Sequence, residues 1–582
     1  MAEKSEKLLP QHKPRILILG AGVMQGPALK IATEMGLEVV AADADPGAPC
    51  VSLAARFEKV DLKDREGIEA LGRSLMEQGG LNGIMTAGTD FSATVAWAAE
   101  KLGLPGIPFE VALNASDKER MRRCFRAAGV PSPEFVIMKT PPHEAQPLPF
   151  SWPAVVKPVD NMGGRGCRRV NDFSELKAAV SGALAFSRSG RAIVEEYMEG
   201  PEFSVDALVY QGEITICGIA DRHIFFPPYF IEMGHTMPSA ENPEAIRSLL
   251  ECFRAGVKAL GITNGAAKGD IKLTPRGPMI GEIAARLSGG YMSGWTYPYS
   301  SGVLPTRGAI EIALGKKPSR TRPEWNWTSA ERAFISIPGK VQSIEGIEKA
   351  RVMPWVRDIF MRIQPGSTVS FPENNVTKCG NIISAAGSRE AAINSAEKAA
   401  RSILIRLEAP NQATDAFLAS PLGAGSFPPD AFPVDARLLS LLSALPNGDL
   451  RTEGRHLFHQ PKRPLTEPTG DTEFTEKDTE LADYALNSVP SVNSVRGNGS
   501  NTLYLLPFPE FTESGLTDIV GRSVDESLEA VRAITGMELP LLASSKASSG
   551  QDVPFLGRSF WQALIRGGYQ GAGYYVEVVS SR

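Results

Sequence analysis

The sequence predicts a multidomain chain in which an α/β domain at the N-terminus is followed by α+β domains. Its 582 residues are too many for one hydrophobic core, because a domain usually has about 150 residues. Strand and helix patterns alternate over residues 14–103, whereas short strands, turns and isolated helices dominate from Pro153 onward. These observations exclude a lone small binding module.

Residues 14–103 have the pattern of a parallel sheet covered by helices. Three apolar runs have the composition of buried strands and occupy residues 14–19, 37–45 and 81–88. Helical patterns follow the first run up to Met35 and the third run over 91–103, so β-α-β units are expected. Such sheets bind ligands at the carboxyl ends of their strands.

The predicted domain boundaries lie where the pattern of predicted helices and strands or the residue composition changes. A helix from about Asp117 to Ala128, with Ser116 as N-cap and Glu119 completing a capping box, marks the end of the first domain. The apolar run 574–579 (YYVEVV) predicts a final strand. The expected pieces are an α/β domain 1–115, an α+β domain 116–320, a third compact piece 321–407, a linker 408–433 rich in Pro, Gly and Ala, and an accessory α+β domain 434–582 of unknown role.

Composition and charge argue against nucleic acid and membranes as partners and indicate a reducing compartment. Lys and Arg number 61 against 66 Asp and Glu, a net charge of -5 that gives no broad basic face for nucleic acid. The six cysteines lie far apart without a CxxC pair, which is typical of reduced cytosolic thiols. The polar N-terminus lacks an apolar h-region, and no run of about 18 apolar residues occurs. We expect a cytoplasmic protein without a membrane partner.

A glycine turn after the first strand resembles a dinucleotide-binding fingerprint. Gly20, Gly22 and Gly26 follow the strand, and Asp43 ends the next one, so bare backbone could approach a pyrophosphate at a helix N-terminus. The spacing is GxGxxxG rather than GxGxxG. Glycines that merely close a tight strand-to-helix turn explain the pattern equally well.

A second glycine loop follows a strand that ends in a lysine. Lys157 is followed by Gly163, Gly164, Arg165 and Gly166. Glycine backbone would let this loop fold over phosphates with its N–H groups inward, while Lys157 supplies a point charge. The alternative is a hairpin whose glycines are needed only for positive φ.

The next strand ends in residues 195–198 (EEYM), and Glu202 opens the strand after it. Backbone groups at such a strand end can pair with the edge of a purine, and Glu202 can accept hydrogen bonds from ribose hydroxyls. In isolation, this segment is better interpreted as a solvated acidic hairpin.

The strongest local signal is a pair of carboxylates across a predicted hairpin. If residues 275–277 form a three-residue loop, Thr274 faces Pro278 across the two strands. Stepping outward from that pair places Asp270 opposite Glu282, about 5 Å apart at Cβ. Carboxylates so close repel each other, so the pairing is explained if a divalent cation such as Mg²⁺ lies between them. An exposed polar sheet face would explain the charges without the pairing.

The period of two along the same hairpin puts Lys268, Ala284 and Arg286 on the face of the two acids. That face would bring a metal, a phosphate and a developing anion together.

Taken in chain order, these segments resemble the ATP-grasp superfamily of ligases. The resemblance extends from residue 14 to about 407 and is closest to the amino-acid ligase branch of the carboxylate-amine ligases. It implies a Rossmann-like domain without NAD, two ATP-grasp lobes that enclose ATP, and a C-terminal lobe over residues 321–407. The motifs that carry it are the N-terminal glycine turn, SDKERMRRCFRAAGVPSP, VVKP with its glycine loop, VEEYMEGPEFSVD, and GD with GEIAARLSGG.

The resemblance implies a role for each matching position. The ATP-binding positions are Lys118 and Lys157 for phosphates, Gly163, Gly164 and Gly166 for the lid, Glu195, Tyr197 and Met198 for adenine, and Glu202 for ribose. Asp270 and Glu282 match the Mg²⁺ ligands, and the expected catalytic residues are Lys157 and Arg286. The substrate-side positions are His235, Arg286, Ser288 and Gly289. One departure is Ala284, where many members have Asn as a metal ligand.

The implied reaction begins with a carboxylate that attacks the γ-phosphate of ATP, which gives an acylphosphate and ADP. An amine then displaces phosphate to form an amide. The implied partners are small carboxylate and amine substrates, with a homodimer left open. A noncatalytic nucleotide-binding regulatory protein is the main alternative, favoured by Ala284 and the large tail. An NAD(P)-dependent oxidoreductase that uses Gly20 and Asp43 is the other.

Overall fold

Residues 13–144, 147–423, 427–432, 434–444 and 558–580 are described by a computed structural model, and they divide into two units. The first unit contains residues 13–336 and 346–403, and the second contains 337–345 and the described residues from 404 onward. Most of the predicted accessory domain, residues 445–557, lies outside the described part of the chain, as do the N-terminal residues 1–12.

The N-terminal part of the first unit is the predicted parallel sheet with helices. Its elements are β1 Arg15–Leu19, α1 Gly26–Glu34, β2 Glu38–Asp43, β3 Arg56–Lys59, α2 Arg65–Glu77, β4 Gly83–Thr86, α3 Ser92–Leu102 and α4 Phe109–Ser116. The four strands pair in parallel in the order β3-β2-β1-β4. All five residues of β1 are buried, because a central strand of such a sheet is covered on both faces. The predicted β-α-β organisation is confirmed.

The helix expected after residue 116 is present, but its predicted cap is wrong. Helix α5 spans Lys118–Ala127, and the side chain of Asp117 caps it by accepting a hydrogen bond from the backbone N–H of Arg120 at 3.0 Å. Ser116 is instead the last residue of α4. Both residue types cap well, and the extended backbone at Asp117 decides between them.

A small antiparallel sheet and one helix follow. The elements are β5 Phe135–Met138, β6 Ala154–Pro158, β7 Arg168–Val170, α6 Phe173–Phe186 and β8 Ala192–Glu196. The strands pair in the order β5-β8-β6-β7, and α6 covers one face with Leu176 and Val180. Because Lys157 lies on β6 and Glu195 on the adjacent β8, both side chains are fixed by the same sheet.

The remaining elements complete the described chain. They are β9 Glu202–Tyr210, β10 Glu213–Phe225, β11 Ile231–Met237, α7 Pro243–Leu260, β12 Gly265–Thr274, β13 Gly277–Ala284, α8 Tyr297–Ser301, α9 Pro305–Ala313, β14 Thr328–Phe334, β15 Gly339–Glu345, α10 Ile347–Arg351, β16 Val356–Met361, β17 Thr368–Val369, β18 Gly380–Ala386, α11 Arg389–Arg401, β19 Leu404–Leu407, α12 Gln412–Leu418, α13 Ala436–Ala444 and α14 Arg558–Ser580.

An eight-stranded antiparallel sheet is the framework of the first unit. Its order is β13-β12-β9-β10-β11-β14-β18-β16. Helix α7 packs on β12 and β13 through Phe253 and Val257, which contact the apolar core formed with Ile271 and Ile283. The hairpin that carries the two predicted metal ligands therefore lies at one edge of this sheet, with an apolar helix behind it.

The second unit pairs β15 with β19 in antiparallel fashion and contains α12, α13 and α14. Helix α12 lies inside the segment predicted as a linker. The predicted strand over residues 574–579 is wrong, because this segment belongs to α14, which is kinked at Gly568. Strand propensity of Tyr and Val depends on packing context, and here Trp561 and Tyr569 of the same helix are fully buried.

None of the helices in the described residues combines the length and apolar character that a membrane crossing needs.

Candidate active site

The β12–β13 hairpin places Asp270 opposite Glu282, as predicted, although its turn differs from the prediction. Thr274 pairs with Gly277 rather than with Pro278, so the register at the turn is one residue away from the expected one. A one-residue irregularity between the Asp270 and Ile271 pairs leaves Gly281 unpaired. This bulge shifts the register by one residue and restores the pairing of the two acids.

A buried arginine on helix α5 holds the bulge. The Nη2 group of Arg122 donates a hydrogen bond of 2.6 Å to the carbonyl oxygen of Gly281. Its Nε group donates to Glu195 at 2.8 Å, and both side chains are almost completely buried. Arg122 therefore connects the hairpin with strand β8, which carries Glu195.

Asp270 is held as a carboxylate by the cations around it. Ser204 donates a hydrogen bond of 2.8 Å to Asp270, Arg222 lies 3.4 Å away, and Lys268 forms a close ion pair with it. Burial acts to raise the pKa of Asp270, but Arg222 and Lys268 outweigh it and bring the pKa down to about 2. The side chain is thus anionic throughout the physiological pH range and offers the kind of oxygen that a hard cation prefers.

Glu282 is the second carboxylate of the pair. Its Oε2 atom lies 3.5 Å from Nζ of Lys118, the first residue of α5. Burial and the charge of Asp270 act to raise the pKa of Glu282, but Lys118 and Lys157 hold it below the ordinary value. Two ionised acids that face each other among lysines form a donor set suited to a hard divalent cation, so the residues fit Mg²⁺.

The two predicted phosphate lysines both lie in this cluster. Nζ of Lys157 is 2.6 Å from Glu195, and Nζ of Lys118 donates to the carbonyl oxygen of Asn161 at 2.8 Å. Burial acts to raise the pKa of Glu195, but Arg122 and Lys157 keep it below the ordinary value. The side chain of Glu195, predicted at the adenine-binding strand end, is therefore turned inward, where it orients Lys157.

The glycine loop takes left-handed backbone conformations at all three predicted positions. The φ angles of Gly163, Gly164 and Gly166 are 71°, 74° and 67°. A Cβ atom on Gly163 or Gly164 would meet nothing closer than 3.6 Å, whereas one on Gly166 would lie 3.0 Å from Phe186. Gly163 and Gly164 line an open cradle, and Gly166 is instead packed against α6.

Most of the predicted site residues line one cavity of about 560 Å³ in the first unit. The predicted residues that line it are Lys118, Lys157, Gly163, Gly164, Glu195, Tyr197, Met198, Glu202, His235, Asp270, Glu282, Arg286 and Gly289. Gly166 and Ser288 do not line it. The hydroxyl of Ser288 is buried and donates to Asp206 at 2.5 Å, which holds the loop rather than facing the cavity.

His235 faces the cavity from strand β11. Its Nδ1 atom is 2.8 Å from Glu331, while Nε2 is buried without a hydrogen-bond partner and lies 3.7 Å from Glu232. Burial acts to raise the pKa of Glu232, but His235, Arg222 and Lys378 hold it far below the ordinary value. Nε2 is a donor when the ring is protonated on both nitrogens and an acceptor when Nδ1 alone carries the proton.

Arg286 follows strand β13 and has one backbone partner, the carbonyl oxygen of Leu287 at 2.9 Å. Among the described residues, no carboxylate forms an ion pair with it. Its remaining donors are therefore free for an anion in the cavity.

Sequence reasoning missed several polar and charged residues that shape the cavity: Arg122, Arg222, Glu232, Arg362, Asn375 and Lys378. Arg122 could have been found from helical spacing, since Lys118, Met121, Arg122 and Phe125 are the buried residues of α5. Glu232 lies on β11, three residues before the predicted His235. This closeness in sequence indicates a shared site less strongly than the helical spacing does for Arg122. Asn375 and Lys378 lie in a loop without local pattern.

The N-terminal glycine turn is filled by the chain itself. A Cβ atom on Gly20 would lie 2.9 Å from the side chain of Gln25, whose Oε1 accepts from the N–H of Gly22 at 3.1 Å. Asp43 accepts a hydrogen bond of 2.8 Å from the backbone N–H of Ala21. The space and the carboxylate that a dinucleotide would need are thus occupied, which favours the structural interpretation of this turn over the NAD(P) one.

The fold and the cavity are those of an ATP-grasp domain, and comparisons with known proteins agree. A family model of the ATP-grasp domain matches residues 150–294, and a model of the L-amino acid ligase C-terminal domain 2 matches residues 333–408. The L-amino acid ligase from Bacillus licheniformis shares the fold, with a TM-score of 0.60 and 23% identity over 68% of this chain and 99% of that one.

Two curated proteins are similar to parts of the chain. Carnosine synthase 1 of Gallus gallus is 26% identical over 336 residues, which cover 52% of this chain and 35% of that protein. The alanine–anticapsin ligase of Bacillus subtilis is 30% identical over 239 residues, 37% of this chain and 50% of the ligase. The chain thus spans half or less of the length of these two relatives. The chain therefore contains an ATP-grasp domain and is similar to carboxylate-amine ligases over part of its length.

Proposed function

We propose that this protein joins a carboxylic acid to an amine, forming an amide or peptide bond with release of ADP and phosphate. The observation that carries the proposal is the pairing of Asp270 with Glu282 beside Lys118 and Lys157 in one cavity. The first reaction step transfers a phosphoryl group to the carboxylate and requires positioning and charge neutralisation rather than a covalent nucleophile. Mg²⁺ held by the two acids would neutralise phosphate charge.

The charge of the cavity favours a polyanionic ligand. Nine basic and six acidic side chains line it, so a triphosphate and a carboxylate enter a positive field. Lys118 and Lys157 would bind phosphate oxygens, and Gly163 with Gly164 would cover them and exclude water from the acylphosphate. Arg286, with donors free of any carboxylate, would stabilise the reacting carboxylate.

The substrate side would lie at His235 and Glu232. A protonated amine would pair with the ionised Glu232, beside Nε2 of His235, which is buried without a hydrogen-bond partner. Adenine would bind at Tyr197 and Met198, with Glu202 at the ribose. These roles rest on the position of each residue around the cavity.

The test is an ADP-release screen over a matrix of amino acids and small carboxylic acids with Mg-ATP. Release that requires both an acid and an amine, with an amide product by mass spectrometry, supports the proposal. Glu282→Gln should lower ADP formation by at least about a thousandfold while the circular dichroism spectrum stays unchanged, because one metal ligand is lost. The exposed Glu110→Gln is the control. Unchanged turnover in Glu282→Gln would remove the metal assignment.

A second candidate function is noncatalytic nucleotide binding. Ala284 lines the cavity opposite Lys268, and it offers no oxygen at a position near the two acids. Tight ATP binding without ADP release for any substrate pair would favour this candidate.

We further propose a cytoplasmic location. All six cysteines are free, and burial raises the pKa of Cys217 and Cys379, so these thiols stay protonated and suit a reducing compartment. Fractionation of cells that express the tagged chain would test this.

A further inference from the structure

Asn375 connects three parts of the cavity wall. Its backbone N–H donates to the carbonyl oxygen of Gly163 at 2.9 Å, in the glycine loop. Its side-chain Oδ1 accepts a hydrogen bond of 2.7 Å from the backbone N–H of Glu232. Its carbonyl oxygen accepts from Arg362 at 3.1 Å. Lys378, three residues further on, donates to the carbonyl oxygen of Glu232 at 2.6 Å. Both backbone groups of Glu232 are therefore held by one loop.

The side chain of Asn375 is not needed to fold its own loop. The adjacent Asn374 makes the local turn, because its Oδ1 accepts a hydrogen bond of 3.0 Å from the N–H of Val376. Asn375 instead directs its amide oxygen to a residue 143 positions earlier in the chain. The side chain of Asn374 thus stabilises the local turn, whereas the side chain of Asn375 connects its loop to strand β11.

We infer that Asn375 is a positioning residue that couples the glycine loop to the substrate side of the cavity. This inference rests on the proposed ligase function. When the loop that contains Gly163 closes over a nucleotide, the bond to Asn375 carries the displacement to Glu232 and His235 on β11. The amine site is then complete when the acylphosphate forms, and water has less time to hydrolyse it.

The kinetic test compares Asn375→Leu, which removes the acceptor at similar size, with Asn375→Asp, which keeps it, and Asn374→Ala as the matched control. For Asn375→Leu, we expect the KM of the organic substrates to rise about tenfold and the KM of ATP less than about twofold, because one partly buried hydrogen bond to Glu232 is lost and the backbone bond to Gly163 remains. The amide formed per ADP should fall well below one. Asn375→Asp should retain most of the coupling.

Wild-type coupling in Asn375→Leu, or an equal loss in Asn374→Ala, would overturn the inference. A loss as large in Asn375→Asp as in Asn375→Leu would overturn it as well, because the acceptor is present in the aspartate variant.

A measurement without turnover separates this inference from the proposed function. Hydrogen exchange is followed with and without a nonhydrolysable ATP analogue in peptides covering residues 160–167 and 229–236. In the wild type, the analogue should slow exchange in both peptides, and in Asn375→Leu only in the first. Protection of both peptides in both proteins would refute the coupling. A wild type that shows the coupled protection but forms no amide would refute the ligase proposal alone.

Discussion

Replacing Arg122 by Met tests whether the buried charge network supports the site. Arg122 has no exposed side-chain surface, and it pairs with Glu195, which is 2% exposed. Methionine has a similar length and can fill the same space, but it leaves Glu195 with Lys157 as its remaining cation. It also removes the donor to the carbonyl oxygen of Gly281.

The expected loss is large because one partner of a buried ion pair is removed. Breaking such a pair costs about 3–5 kcal/mol, since the remaining charge stays buried without full compensation. Arg123→Met, one residue further along the same helix, is the matched control. Its side chain is 69% exposed and pairs with Glu119 four residues earlier, so the expected cost is about 0.5 kcal/mol or less.

The assay is urea unfolding of both variants, together with the affinity for a nonhydrolysable ATP analogue. Arg122→Met should lower both the free energy of unfolding and the affinity, because Arg122 no longer fixes the position of Glu195, the carboxylate that pairs with Lys157, or the carbonyl of Gly281. The double variant Arg122→Met/Glu195→Gln should lose less than the sum of the two single losses, since no uncompensated carboxylate remains. If Arg122→Met is as stable as Arg123→Met, the reasoning on the buried network is refuted.

Three further predictions concern the hairpin and the glycine loop. The pKa of Asp270 is lowered from 3.8 to about 2, so its carboxylate stabilises the fold above pH 4 by about 2 kcal/mol, and this contribution is lost as the pH falls toward 2. Urea unfolding should show the gap between wild type and Asp270→Asn closing below pH 4; a constant gap would contradict this. Gly164→Val should cost about 1–2 kcal/mol and raise the KM for ATP, because φ is 74° there, whereas Gly182→Ala in α6 should be neutral or stabilising. Gly281→Val would place Cβ 3.2 Å from the carbonyl oxygen of Asp270, so ADP formation should fall at least about tenfold; normal activity would argue against the bulge.

Helices and strands with strong apolar periodicity were predictable from the sequence. The part of the cavity wall that is formed by residues of recognisable motifs was predictable as well. The three strands and two helices predicted within residues 14–103 are present, as is helix α5, whereas β3 and α2 were not predicted. The final strand failed because the run 574–579 has strand composition, whereas its conformation is decided by the packing of α14. Similarly, the cap at Ser116 failed because Asp117 offers the same chemistry one residue later.

The part of the site that could not be predicted is held together by contacts between distant residues. Arg222 contacts Glu202, Glu232 and Asp270, which lie on three different strands. A single sequence gives no spacing between such positions, and their pairing depends on sheet order. The glycine turn at Gly20 shows the opposite case, since its pattern suggested a ligand and the structure fills the space with Gln25.

The carboxylate pair itself depends on a tertiary contact rather than on turn chemistry. With Thr274 paired to Gly277 and no bulge, regular alternation would place Asp270 opposite Gly281, and Glu282 would face the other side of the hairpin. The register of the turn alone would thus separate the two acids. The extra residue at Gly281 corrects this, and its carbonyl is held by Arg122 of α5. Because α5 begins with Lys118, the same helix that supplies the lysine proposed to bind phosphate also fixes the register of the acids beside it.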